Sequence, residues 1–359
     1  MNKKILFFCS VTKIGGAETN IVKISNELNK LGFEVHFATL EDNGPMFTYC
    51  KDYGKSFTEI GLFTKHPIDA IKKYAHLLKT EKFDVVFNFG LRVEIFSRLV
   101  TKFVSSSTRS VANIRSTNSF RKFHQIWLDR CTSFLVDTWV SNSEAGKYIY
   151  TKREKINQQK IKVIYNYIEP IAGLVENDFV KTKSPIKIGV LANIRKLKGH
   201  YDLIPLTYSL LDVNIIPQFI LAGSDNSDGD FQSKVTNNKL EKYFDFRGYT
   251  EDKDSFFSEI DIFLLPSYIE GMPTSVLEAM AYNKPIVTTD IDGIPEQIEN
   301  GVNGFALPPG DIVGFTRAIV RIINDDYLRN KFIDRNKKII ATTFSKQEKI
   351  NDWVKVIME

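Results

Sequence analysis

Apolar and polar positions along this chain alternate between two periods. Short apolar runs read as strands, and the stretches between them repeat apolar residues every three or four positions, as a helix does. Residues 4–9 form a first strand, 18–31 a helix with Ile21, Ile24 and Leu28 in phase, and 33–40 a second strand. Further strands are predicted at 85–87, 110–114, 138–141 and 162–165, with helical segments between them. Such alternation argues for a mostly parallel sheet covered by helices.

The pattern lapses at 169–185, where Glu176, Asn177, Asp178, Lys181, Thr182, Lys183 and Ser184 leave few apolar anchors. It restarts at 186–191 and continues through strands near 215–221, 244–246, 262–265 and 285–288. The reading is a doubly wound domain at 1–168, a linker at 169–185, a second doubly wound domain at 186–335, and a helical segment at 336–359. Ile350, Trp353, Val354 and Ile357 share one stripe of that last segment, which is expected to return toward the first domain. A length of 359 residues also favours two hydrophobic cores over one.

Composition changes this picture little. The chain is 43% apolar and 25% charged, a globular balance. Cys9, Cys50 and Cys131 lie far apart and suggest neither a disulfide framework nor a thiolate metal site, so a reducing cytosol is the default. The basic start resembles a signal peptide, but its apolar run is broken by Ser10, Thr12 and Lys13 and reads as a strand. No apolar run approaches the roughly 20 residues that span a bilayer. Membrane contact, if made, is expected to be peripheral.

Charge adds a division. Residues 1–168 carry 26 Lys plus Arg against 15 Asp plus Glu, a net +11, whereas 169–359 carry 22 against 28, a net −6. The first half should prefer an anionic partner: nucleic acid, an anionic lipid surface or a lipid diphosphate. Within it, residues 95–130 hold seven Lys or Arg and one acid, Asp129, interleaved with Phe103, Phe120, Phe123 and Trp127. That stretch is either an interfacial patch or a set of solvated helix faces with core aromatics.

Four places carry candidate chemistry. Gly15-Gly16-Ala17-Glu18 follows the first strand and opens a helix; it is either a tight turn or a place where backbone N–H groups approach a phosphate or sugar oxygen. It is not the G-x-G-x-x-G fingerprint, which argues against a nicotinamide cofactor. Asn193-Ile-Arg195-Lys-Leu-Lys198-Gly-His200 follows the first strand of the second half, where cations would neutralise a departing diphosphate unless the loop is merely solvated. Glu270-Gly-Met-Pro273 makes a turn into a helix whose first N–H groups, at Thr274 and Ser275, can receive a phosphate. Glu278 is either a ligand for ribose hydroxyls or the partner three residues on in a Ser275-x-x-Glu278 capping box, satisfying the Ser275 backbone donor. Asp290-Ile-Asp292 sits in a turn before Gly293, and the five histidines do not cluster, so no metal is assigned.

Taken in order, these motifs, with Asn166, Pro285-Ile-Val-Thr-Thr-Asp-x-x-Gly293-x-Pro295-Glu296 and Asn300-Gly-x-Asn303-Gly304, resemble glycosyltransferase family 4, of the bacterial surface-polysaccharide type. The resemblance covers essentially the whole chain. It implies the GT-B fold, two Rossmann-like doubly wound α/β domains facing a central cleft, and no cofactor or bound metal. The implied reaction transfers a hexose or N-acetylhexosamine, with retained configuration, from a nucleoside diphosphate sugar such as a UDP-linked one. The expected acceptor is a growing, lipid-diphosphate-linked glycan, and the +11 first half with its aromatic-basic stretch adds the expectation of a cytosolic protein bound peripherally at the cytoplasmic face of the inner membrane. By the same resemblance Arg195 and Lys198 clamp the diphosphate, Glu278 holds the ribose, Glu270 positions the transferred sugar, and Gly15 and Gly16 approach the donor. The sequence departs from the family pattern at Asn113-Ile-Arg115, where a histidine is common, at Asn166-Tyr167 for Asn-Gly, and at Tyr282-Asn283, where glycine is frequent. Arg115 could instead meet an anionic acceptor. The competing readings are a sugar-nucleotide epimerase and a noncatalytic sugar-binding protein; no reader motif supports nucleic acid.

Overall fold

The computed structural model describes residues 3–10, 16–41, 53–62, 66–117, 121–171 and 184–359. The chain divides into two compact units: Met1–Asn166 together with Gln347–Glu359, and Tyr167–Lys346. Most of the expected linker, and Gly15 with it, lies outside the described residues.

The first unit runs β1 (Lys4–Cys9), α1 (Gly16–Lys30), β2 (Glu34–Thr39), β3 (Ser56–Glu59), α2 (Pro67–Glu81), β4 (Val85–Phe89), α3 (Leu91–Val104), β5 (Arg109–Ile114), α4 (Phe123–Thr132), β6 (Thr138–Ser141), α5 (Glu144–Arg153) and β7 (Ile161–Val163). Its strands are all parallel, in the order β3-β2-β1-β4-β5-β6-β7. Central β1 explains why an unbroken apolar run suits a parallel sheet. Successive side chains point to opposite faces, and both Phe7 and Phe8 are fully buried. Phe8 packs with Leu6, Tyr74, Leu78, Val86 and Val93, while Phe7 meets Phe37 and Phe87.

The second unit runs β8 (Ile186–Leu191), α6 (Leu203–Asp212), β9 (Pro217–Ala222), α7 (Asp230–Asn237), β10 (Phe244–Gly248), α8 (Lys253–Glu259), β11 (Ile262–Leu265), α9 (Thr274–Ala281), β12 (Ile286–Thr289), β13 (Phe305–Leu307), α10 (Ile312–Asn324) and α11 (Asp326–Thr342). The parallel order is β10-β9-β8-β11-β12-β13. Ile188, Val190, Leu221, Ile262, Leu264, Phe315, Ile319 and Phe332 belong to one apolar core. A last helix, α12 (Lys346–Met358), buries Ile350, Trp353, Val356 and Ile357. Trp353 lies 5.3 Å from the Phe87 ring, Lys3 Nζ donates to the Ile357 carbonyl at 2.7 Å, and Arg109 Nη1 to that of Val356 at 2.8 Å.

α4 inverts the usual arrangement: the residues it buries are polar, Asp129 and Thr132. Asp129 Oδ1 accepts from Arg98 Nη1 at 2.8 Å and Oδ2 from Arg121 Nη1 at 2.7 Å. Arg121 also reaches Glu154 Oε2 at 2.8 Å, and Arg98 Nη2 reaches Glu94 Oε2 at 3.4 Å. Burial pushes the Glu94 and Glu154 carboxyls up to about 7. Burial raises Asp129 too, but Arg98 and Arg121 outweigh it and hold that carboxyl below its ordinary value.

Among the described residues, Glu34, His36 and Glu81 are spaced as metal ligands would be. Lys4 Nζ already bridges this group, 3.2 Å from Glu34 and 3.3 Å from Glu81, so an ammonium supplies the positive charge there.

Candidate functional site

In a doubly wound sheet, ligands bind beyond the carboxyl ends of the strands where the strand order reverses. In the second unit that point lies between β8, which leads to β9 on one side, and β11 on the other. The sequence places Arg195 and Lys198 just after β8 and Glu270 just after β11.

The loop after β8 tightens into a 3-10 turn, Lys196–Lys198, with Arg195 before it and Gly199 closing it at φ +73°. A Cβ on Gly199 would stand 1.9 Å from the Pro266 carbonyl oxygen, so a glycine is what lets the two loops touch. Tyr268 N donates to the Leu197 carbonyl at 2.9 Å and completes the pinning. Its result is an ion pair: Lys198 Nζ lies 2.6 Å from Glu270 Oε1. The same oxygen accepts from Ser267 Oγ at 2.7 Å, and Glu270 N donates to Asp292 Oδ2 at 2.8 Å. Glu270 is buried and its carboxylate is fixed in place. An ammonium has three N–H donors, and one carboxylate oxygen occupies one of them.

Arg195 is exposed on the same loop. With the Asn226 amide oxygen turned toward it, that oxygen accepts from Nη2 at 2.5 Å and Nε at 2.9 Å, which orients the guanidinium. Asn193 serves the loop itself, accepting from Ser224 N at 3.0 Å. His200 follows Gly199 into the core, fully buried beside Phe231. Desolvation pushes its pKa down to about 4 against the opposing backbone of Arg195 and Ala192, and neither ring nitrogen has a hydrogen-bond partner of good geometry. His200 is therefore a neutral core residue near pH 7.

The helix after Glu270 decides between the two readings of Glu278. α9 starts at Thr274, and Pro273, not Ser275, is its N-cap, with no side-chain capping bond. Ser275 is thus already inside the helix, and the Ser275-x-x-Glu278 capping box does not form. Thr274 and Ser275 occupy the first two helical positions, half-buried, where backbone N–H groups have no partner within the helix. Glu278, also half-buried, stands one turn further along. Gln297 Nε2 donates to the Pro273 carbonyl at 3.0 Å and Gly293 N to that of Gly271 at 3.0 Å, so the helix entry is held from the loop after β12.

Sequence reasoning missed Asn226, Ser267 and Asp292. Asp292 had a signal, since Asp290-Ile-Asp292-Gly293 marks a turn, and Asp292 adopts φ +51° there. Asn226 had none, because its partner is 31 residues upstream and the two meet only through the pairing of loops.

In the first unit the corresponding reversal lies between β1 and β4. Gly16 opens α1 and is exposed, while Gly15 falls outside the described residues. Gly90, at φ +102°, closes on Ser10, whose Oγ would stand 2.3 Å from an added Cβ. Arg115, after β5, lies over the Phe89 and Trp353 rings at 5.3 and 5.6 Å and donates from Nη1 to Asn166 Oδ1 at 3.3 Å. Asn20 Nδ2 donates to the same oxygen at 2.6 Å.

Residues 175–339 match the model of glycosyl transferases group 1, and residues 14–170 match that of Glycosyltransferase Family 4. A UDP-Gal:alpha-D-GlcNAc-diphosphoundecaprenol alpha-1,3-galactosyltransferase of Escherichia coli is 25% identical over 338 residues, 82% of this chain and 83% of the relative. The capsular polysaccharide biosynthesis glycosyltransferase CapM of Staphylococcus aureus is 24% identical over 65% of this chain and 64% of its own. Among solved structures, Anabaena Alr3699/HepE in complex with UDP superposes with a TM-score of 0.84 at 19% identity, covering 99% of both chains. Two glycosyltransferase models matched in order, over two parallel α/β units with this topology, place the chain in the GT-B glycosyltransferase superfamily.

Proposed function

We propose that this protein is a retaining glycosyltransferase of family 4, which moves a hexose or N-acetylhexosamine from a UDP-linked sugar to a growing lipid-linked glycan in surface-polysaccharide synthesis. The observation that carries the reading is the pair of pinned loops at the second sheet's reversal point, which set Lys198 against Glu270 with Arg195 on the same turn. Arg195 and Lys198 take the donor diphosphate, and their charge is needed most as the sugar–phosphate bond breaks. Glu270 holds the transferred sugar, the first N–H groups of α9 at Thr274 and Ser275 take a phosphate oxygen, and Glu278 takes ribose hydroxyls. The E. coli relative's name, a galactosyltransferase acting on a diphosphoundecaprenol-linked sugar, and the UDP held by the Anabaena protein support this choice of donor and acceptor.

A panel of radiolabelled UDP-sugars with an undecaprenyl-diphosphate-linked monosaccharide acceptor tests it. The expected product is an extended lipid-linked glycan with the donor's anomeric configuration, read by NMR. Conversion of a UDP-sugar to its epimer without an acceptor, or binding with no turnover on any acceptor, would overturn it in favour of an epimerase or a sugar-binding protein.

A further inference from the structure

We infer that Asn226, in the loop after β9, is a positioning residue of the donor site: its amide oxygen holds Arg195 by one edge of the guanidinium and, being neutral, leaves the whole positive charge and the other edge for a diphosphate. The inference rests on the assignment of Arg195 to the donor diphosphate. With the amide oxygen facing Arg195, it accepts from Nε at 2.9 Å and from Nη2 at 2.5 Å. A guanidinium carries five N–H donors. The pair on Nη1 and the second on Nη2 remain on the outer edge, a planar fork that matches two phosphate oxygens.

Two features of the loop make this more than a surface contact. Arg195 is exposed, and an exposed arginine gives up rotamer freedom when a ligand fixes it. Asn226 fixes it beforehand. The tether has its own anchor in the backbone: Ile194 N donates to the Ser224 carbonyl at 2.9 Å, Asn226 N donates to the Ile194 carbonyl at 3.1 Å, and Ile194 pairs with Asp225 as a parallel bridge. None of these bonds uses the Asn226 side chain. The second feature is charge. The loop is acidic, with Asp225, Asp228 and Asp230 within six residues. Asp225 spends its carboxylate on its own turn, accepting from Ser227 N at 2.7 Å, Ser227 Oγ at 2.6 Å and Gly229 N at 3.0 Å, and Asp230 accepts from Tyr201 Oη at 2.6 Å. The group that meets Arg195 is the amide between them. A carboxylate in its place would hold the same two N–H groups and cancel most of the field offered to an anion.

Asn226→Asp and Asn226→Ala separate this role from a structural one. UDP and inorganic pyrophosphate are titrated calorimetrically into the full chain. Asn226→Asp, nearly the same shape, should weaken UDP by about tenfold or more, and Asn226→Ala, which frees Arg195 but keeps its charge, by only about threefold. Pyrophosphate should follow the same order, and so should kcat/KM for the donor, with the acceptor KM within about twofold of wild type. Neither variant should change thermal unfolding, because the backbone bonds of the loop survive; Asn226→Ser replaces Asn226→Ala if that protein fails to fold. In an Arg195→Ala background, Asn226→Ala should have no further effect on UDP. Wild-type affinity in Asn226→Asp, a loss in Asn226→Ala that exceeds it, or a further loss in the Arg195→Ala background would each overturn the inference. Failure of wild type to bind UDP or pyrophosphate would overturn the diphosphate assignment and this inference with it, whereas binding without transfer to any acceptor would count against the proposed reaction alone.

Discussion

In the first unit Asp129 and Glu154 lie fully buried between arginines while Phe103, Phe123 and Trp127 face solvent; in the second, the core is apolar and the ion pair Lys198–Glu270 sits in the loops at the sheet's end. The two sheets follow the same parallel plan, yet charge is used differently on each. In the first unit it fixes the rotation of a helix. In the second it joins, at the candidate site, two loops that backbone contacts have already fixed. A buried ion pair is a weak source of net stability, since desolvation offsets attraction, but removing one partner is costly. That asymmetry makes the comparison testable.

The largest expected effect is on the buried network. Asp129→Ala removes the carboxylate that Arg98 and Arg121 share, leaving Arg98 only Glu94 and Arg121 only Glu154 from the network, and should cost about 3–5 kcal/mol, read by chemical denaturation. An unchanged midpoint would show that the network does not hold α4. The counterpart in the second unit should behave in the opposite way: Lys198→Ala and Arg195→Ala should lower turnover by roughly 10²–10³, about 3–4 kcal/mol, with little change in unfolding. Near-normal turnover by both variants would remove them from the mechanism. Glu278→Gln is expected to weaken donor binding by about 1.5–3 kcal/mol, the range for hydrogen bonds to a charged group, and to leave thermal stability alone, because no capping box exists to be lost. A lower melting temperature with unaltered donor affinity would reverse that assignment.

The smallest and subtlest effect is with pH. Glu94 and Glu154 have folded pKa values near 7, above the ordinary 4.5, so their contribution to stability is complete below about 4.5 and is lost as pH rises toward 7. His200 has a folded value near 4, below 6.5, so its contribution is present above 6.5 and is lost as pH falls toward 4. Acidification from pH 7 to 5 should therefore raise hydrogen-exchange protection around α4 and lower it around the β8 loop. Parallel changes in the two regions would mean that other groups dominate.

The fold was largely legible because both sheets are built from parallel strands with continuous apolar runs: Ile5 to Phe8 and Ile262 to Leu265 announce themselves. β3 was missed, as Ser-Phe-Thr-Glu is half-buried at the sheet's edge and lacks such a run, and so was three-residue β13. In the site, Arg195, Lys198 and Glu270 were legible by residue type and position after strands. Their supports were not, because Gly199 against Pro266, Asn226 on Arg195 and Asp292 on Glu270 N are contacts between separate loops with no spacing to betray them. At Glu278 local spacing pointed to two roles, and the helix starting two residues earlier, after Pro273 instead of Ser275, removed one of them. At residues 95–130 Phe103, Phe123 and Trp127 are surface residues, not core, and Phe120 lies outside the described residues.

The last helix bears on how the protein is made. Residues 347–359 supply Trp353 to the aromatic cluster of the first unit and take hydrogen bonds from Lys3 and Arg109. On the ribosome, domains tend to fold in the order in which they emerge. Here the unit synthesised first has to wait, its Phe87 face uncovered, until the whole of the second unit has been translated. The nascent chain thus carries an open aromatic surface through most of its synthesis, and the second unit is the first that can finish folding.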